Sequence, residues 1–140
     1  MLANPVYVMP VMTIRILLVD DQSAIRRGLR MSLGLEADLH VVGEASDGLE
    51  ALKLAQQLKP DVVVMDVEMP NMDGLTAAEK LQTAAPGAAV VILTLHDSLA
   101  MRARAREAEI DLVAKHEGVG ALVAAIRRAA RGAGPILRPA

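Results

Sequence analysis

The sequence predicts an α/β fold: a doubly wound, five-stranded parallel sheet made from five consecutive β–α units. Three observations predict it. Five short apolar runs recur along the chain, each followed by a segment with helical spacing. The run Val62-Val63-Val64-Met65 does not alternate with polar residues, which is how a strand covered on both faces reads. Hydrophobic residues make up 53% of the chain but aromatic ones only 1%, so the core must be built from Val, Ile, Leu, Met and Ala. That composition suits a twice-covered sheet better than an aromatic-rich sandwich.

The elements follow in order. Strands are expected at Ile14 to Val19, Leu39 to Val42, Val62 to Met65, Ala88 to Leu93 and, more weakly, Leu112 to Ala114. The first helix carries the stripe Ile25, Leu29 and Leu33, with Arg26, Arg27 and Arg30 off it. The second carries Leu49, Leu52, Ala55 and Leu58, and the third Leu75, Ala78, Leu81 and Ala85. The fifth, with Val119, Leu122, Val123, Ile126 and Ala130, is the clearest. The segment Ser98 to Ala108 alternates Ala and Arg and has only Leu99 and Met101 as large apolar groups. It is expected to be a helix with a weak buried face, a candidate moving or partner-facing element. Breakers separate the units: Asp47-Gly48, Lys59-Pro60-Asp61, Asp73-Gly74, Ala85-Pro86-Gly87 and Glu117-Gly118. Right-handed crossovers then place helices on both faces of the sheet.

Length and charge bound the rest. The 140 residues fit one domain, read as a tail over 1–12, a folded unit over 13–132 and an exit over 133–140 that contains Gly134-Pro135. Net charge is −2 and the pI about 5.9, so no global basic field draws a polyanion. The aromatic shortage argues against base stacking. No cysteine is present, which excludes disulfides and thiolate metal sites and is compatible with a reducing cytoplasm. No apolar run is long enough to span a bilayer, and the first residues lack the basic leader of a secretory signal.

In doubly wound sheets ligands bind beyond the carboxyl ends of the strands. Asp20 and Asp21 follow the first strand, Asp66 the third, Thr94 the fourth and Lys115 the fifth. Carboxylates about 4 Å apart repel by roughly 4 kcal/mol per pair at an effective dielectric near 20, so this edge calls for a cation. Mg²⁺ with oxygen ligands suits carboxylates that handle phosphate. Lys115 can bind a phosphoryl oxygen, Asp66 is the central nucleophile for an acyl phosphate, and Thr94 can hydrogen-bond the new oxygens. Each residue also has a plainer reading. Asp20-Asp21 can cap the first helix, Asp66 can be a turn residue before Met69-Pro70, Thr94 can be strand packing, and Lys115 a solvated lysine. His96 and His116 have no paired ligand spacing. The joint placement at four strand ends favours the chemical reading.

Over Ile14 to Gly132 the chain resembles the receiver domains of bacterial two-component response regulators. The stretches that carry this are Ile16-Leu17-Leu18-Val19-Asp20-Asp21 and Asp61-Val62-Val63-Val64-Met65-Asp66-Val67-Glu68-Met69-Pro70-Asn71-Met72-Asp73-Gly74. Ile25-Arg26-Arg27-Gly28-Leu29 and Ala125-Ile126-Arg127-Arg128-Ala129-Ala130-Arg131-Gly132 look like the NarL/FixJ (LuxR-tailed) branch. The resemblance implies a CheY-like, flavodoxin-like fold and a cytoplasmic protein that is not an enzyme beyond gaining and losing its own phosphate. It implies that Asp66 accepts phosphate from a sensor histidine kinase. It implies Mg²⁺ bound by Asp21, Asp66 and the backbone carbonyl of Glu68, with Asp20 assisting, and Thr94 and Lys115 on the phosphoryl group. The segment around Thr94 and Ser98 to Ala108 would then shift between inactive and active forms. It further implies a homodimer and control of transcription through a C-terminal helix-turn-helix DNA-binding domain absent here, with residues 133–140 as the start of the linker.

Several positions depart from the family pattern. Leu112 stands where an aromatic residue is usual, three positions before the lysine. Ala108-Glu109-Ile110-Asp111 replaces a Gly-rich turn. Leu95, after Thr94, is larger than usual and could crowd phosphate entry, and His116 replaces a common proline. Glu68 and His96 occupy positions that tune phosphate lifetime in relatives. Other readings are a stand-alone or degenerate receiver acting through protein contacts, and a Mg²⁺-dependent phosphohydrolase; for the latter Glu68 has the right spacing but no cap-sized insertion exists.

Overall fold

The computed structural model describes residues 12–69 and 74–133. The tail before Met12, the Pro70 to Asp73 part of the acidic loop and the exit after Ala133 lie outside the described residues. The strands are β1 (Ile14–Val19), β2 (Leu39–Ala45), β3 (Val62–Asp66), β4 (Ala89–Thr94) and β5 (Asp111–Ala114). The helices are α1 (Ser23–Leu33), α2 (Gly48–Leu58), α3 (Gly74–Ala84), α4 (Leu99–Glu107) and α5 (Val119–Ala133). All strand pairs are parallel, in the order β2-β1-β3-β4-β5.

That order explains the two-sided burial. The chain steps from β1 outward to β2, then returns across β1 to β3 and continues to β5. With crossovers of one hand, the reversal puts α1 and α5 on one face and α2, α3 and α4 on the other. Successive side chains of a strand point to opposite faces, so each strand feeds both cores. Leu17, Val19, Val63, Met65, Val90 and Ile92 pack with Ala51, Ala55, Leu75 and Leu81. Ile16, Leu18, Val62, Val64, Val91 and Leu93 pack with Leu33, Leu122, Val123 and Ile126. Each fully buried Leu, Ile or Val contributes about 1.5–3 kcal/mol, so the unbroken apolar runs are what the fold rests on.

Local sequence sets the ends. Asp47 caps α2 by accepting the Glu50 N–H at 2.8 Å, and Glu50 reaches back to the Ser46 N–H at 2.7 Å. Ser98 caps α4 at 3.1 Å from the Met101 N–H. Ala105 is the buried residue of α4, in keeping with the weak face expected there. Glu109, in the loop that lacks the usual glycines, adopts φ 58°, so a bulky residue occupies left-handed backbone.

Some expectations are corrected. β2 runs three residues further than Val42. Leu49, placed on the buried stripe of α2, is 71% exposed, and the small residues Ala51 and Ala55 face the sheet instead. Ile25 and Val119 sit at the edge of their stripes and are exposed. The helix-cap alternative for Asp20-Asp21 fails, because Gln22 is the N-cap of α1 and makes no side-chain cap bond. Asp66 closes β3 in register with Leu93, and its side chain also opens the turn that follows by accepting the Glu68 N–H.

Candidate functional site

The strand order reverses between β1 and β3, and the acidic residues stand at that point. Asp20 directly follows β1, and Asp66 ends the neighbouring β3. Oxygens of Asp20, Asp21 and Asp66 lie within 4.8 Å of one another. Asp20 and Asp66 are buried and Asp21 is exposed, so the cluster opens to solvent on one side.

Asp20 is held firmly. Its Oδ1 accepts the Gln22 N–H at 2.8 Å, and its carbonyl accepts from Arg26 Nη1 at 2.6 Å. Arg26 and Arg30 both pair with Glu44 of β2, at 2.9 and 2.7 Å, which ties α1 to the sheet edge beneath the site. Asp20 Oδ2, however, is buried with no hydrogen-bond partner. The Asp20 carboxyl is pushed up to about 6: burial raises it most, the Gln22 N–H lowers it, and the nearby Asp66 charge raises it. A buried carboxylate oxygen without a donor, facing two more carboxylates, is the donor set of a hard divalent cation.

Asp66 is fixed from two sides. Its Oδ1 accepts the Glu68 N–H at 2.9 Å, and Lys115 Nζ lies 3.2 Å from its Oδ2. Lys115 opens a short 3-10 turn after β5, beside Thr94, which pairs with Ala114 across the sheet. Thr94 is buried, and its hydroxyl donates to Glu68 Oε2 at 2.5 Å while accepting the His96 N–H at 3.0 Å. The Leu95 N–H also donates to the Glu68 carboxylate, at 2.9 Å to Oε1. Leu95 itself is 59% exposed. Leu112 is half-buried against the core shared with α3 and α4.

All five residues singled out at the strand ends are thus brought to one place. The sequence reading missed two side chains. One is Arg26, whose signal is a cation in the first turn of a helix, where the dipole disfavours it. The other is the direction of the Glu68 carboxylate: the sequence placed Glu68 beside the site but gave no sign that its side chain would reach Thr94 and Leu95.

The response regulator receiver domain model matches residues 16–127, from β1 into α5. The chain belongs to this family. As a receiver domain it is 40% identical over 120 residues to the uncharacterized transcriptional regulatory protein YxjL of Bacillus subtilis strain 168, covering 85% of this chain and 55% of that protein. It is 40% identical over 116 residues to the response regulator GacA of Pseudomonas aeruginosa, covering 82% of this chain and 54% of that one. A solved two-component response regulator of the LuxR family from Aurantimonas sp. SI85-9A1 superposes with a TM-score of 0.80 at 35% identity, covering 86% of each chain. The chain spans about half the length of the curated relatives it matches. Receiver domains bind Mg²⁺ at an aspartate cluster, and Asp20, Asp21 and Asp66 form such a cluster here. No helix among the described residues is long and apolar enough to cross a membrane.

Proposed function

We propose that this receiver accepts a phosphoryl group on Asp66 from a phosphohistidine of a sensor histidine kinase and passes the event on as a conformational change. The observation that carries the reading is the unpartnered, buried Asp20 Oδ2 beside Asp66, with Lys115 on the opposite side of the acceptor. Asp21, Asp66 and the Glu68 carbonyl would hold Mg²⁺, with Asp20 acting through water. The ion supplies positive charge to the phosphoryl oxygens. The protein's own residues do the rest. The Glu68 N–H holds Asp66 Oδ1 and leaves Oδ2 as the attacking oxygen. An O–P bond forms there as the N–P bond of the phosphohistidine breaks, and the imidazole leaves. Lys115 and Thr94 then take phosphoryl oxygens, and the Thr94 end of β4 carries the change into α4, a helix with a single buried residue.

That a transcriptional regulatory protein and a LuxR-family response regulator are among the relatives supports transcription as the output; the same proposal includes a C-terminal helix-turn-helix domain, a homodimer on two-fold DNA and a cytoplasmic setting. Incubation with Mg²⁺ and acetyl phosphate, followed by intact mass, tests the reading. A gain of one phosphoryl group, lost in Asp66→Asn, is the expected result. No gain with any donor in a folded protein overturns it, and turnover of unrelated phosphate esters would make the chain a hydrolase instead. Lys115→Ala should still accept phosphate but lose the conformational response.

A further inference from the structure

The Glu68 carboxylate lies across the acceptor and uses the donors that a phosphoryl group would need. Its Oε2 takes the Thr94 hydroxyl at 2.5 Å, its Oε1 the Leu95 N–H at 2.9 Å, and Lys115 Nζ stands 3.7 Å from Oε1. Lys115 is therefore shared between Glu68 and Asp66. The Glu68 main chain cannot drift away from this position, because its N–H is bonded to Asp66 Oδ1. Its side chain can leave, since it is 27% exposed.

We infer that Glu68 is a resident anion of the phosphoryl site, and that its carboxylate must be displaced before Thr94, Leu95 and Lys115 can engage a phosphoryl group on Asp66. This rests on the acceptor role of Asp66. One anion with a hydroxyl, an amide and an ammonium around it satisfies the buried Thr94 hydroxyl and the two more exposed donors beside it in the unmodified protein. A phosphoryl dianion offers the same donors more charge and more oxygens, so it competes on the same contacts. Both cannot stay, because like charges at this spacing repel strongly. Glu68 thus sets a threshold for phosphorylation and holds the Thr94 end of β4 in its unmodified position until that threshold is passed.

The test uses beryllofluoride, an acyl-phosphate mimic, with Mg²⁺, read by ¹⁵N amide shifts; acetyl phosphate followed by intact mass gives the rate. Glu68→Gln keeps the shape but loses the charge. Glu68→Asp keeps the charge but is about 1.5 Å shorter and cannot span to Thr94 and Leu95. Displacement of charge-assisted contacts predicts beryllofluoride binding tighter by about tenfold in Glu68→Gln, and faster phosphorylation to match. Glu68→Asp should move the same way. If wild type and Glu68→Gln bind within twofold of each other, the inference falls and the acceptor role stands. A Glu68→Asp protein that behaves as wild type overturns it as well, because bulk charge alone would then explain the effect. If neither wild type nor any Glu68 variant takes the mimic or the phosphoryl group, the acceptor role fails and this inference with it.

Discussion

Asp20→Asn should stabilise the metal-free protein at neutral pH. The Asp20 side chain is 1% exposed, its Oδ2 has no partner, and the clustered carboxylate oxygens lie within 4.8 Å of one another. At that spacing each like-charged pair repels by about 3.5 kcal/mol at an effective dielectric near 20. Lys115, 3.2 Å from Asp66, offsets part of this. The rise of the carboxyl from 3.8 to about 6 corresponds to about 3 kcal/mol against the charged form in the folded state. Asparagine keeps an oxygen for the Gln22 N–H and turns an amide toward Asp66. Allowing for charge repulsion already present in the unfolded chain, the gain should be roughly 2 kcal/mol, or about 5–10 °C in melting midpoint. The sign with pH follows from a raised carboxyl. The folded state holds the proton more tightly, so the penalty is full above about 6, shrinks as pH falls toward 3.8 and is absent below it. The chain has no tryptophan, so urea unfolding is best followed by far-UV circular dichroism, in chelator at pH 7.5 and again at pH 4. Mg²⁺ should raise the wild type toward the variant. A variant no more stable than wild type in chelator, or an advantage unchanged at pH 4, would refute the reasoning.

Three further outcomes follow from the packing. Glu44→Gln should cost about 1 kcal/mol at pH 7, since Arg26 and Arg30 lose their shared partner. Hydrogen bonds from Arg30 and Arg26 hold the Glu44 carboxyl below its usual 4.5, so this contribution is present above 4.5 and fades as pH falls further; urea titrations at pH 7 and 3 check it. Glu109→Gly should stabilise the fold by about 1 kcal/mol, because glycine accepts φ 58° without the Cβ clash, and the thermal midpoint should rise accordingly. Gly74→Ala should destabilise by about 2 kcal/mol or more despite the better helix propensity of alanine. A Cβ there would come within 2.5 Å of the Val67 backbone, next to Asp66, so a normal urea midpoint in this variant would contradict the close approach.

The fold was legible because the sheet is buried on both faces. An unbroken run such as Val62 to Met65 has no other economical reading, and β3 falls where it was expected. The reading weakened where burial does. β2 is an edge strand, and its last residues include Glu44, whose charge is met by arginines from α1. Leu49 misled because periodicity weighs large side chains, whereas the contact surface of α2 is set by alanines that allow close approach to the sheet. In the site, Asp20, Asp21, Asp66, Thr94 and Lys115 were legible because topology alone assigns strand ends to one edge. The Glu68 carboxylate was not, because which way a loop side chain turns depends on donors from β4 and β5 that are distant in sequence.

The reversal of strand order between β1 and β3 also decides which parts of the chain supply the charges of the site. During synthesis, Asp20, Asp21 and Asp66 emerge first and can meet as soon as β1 and β3 pair. Lys115 comes from β5, the last strand made and an outer one. The three negative charges and their ammonium partner are therefore contributed by separate β–α units and stand together only in the complete sheet. The final β–α unit thus supplies the ammonium of the site as well as an outer strand of the sheet.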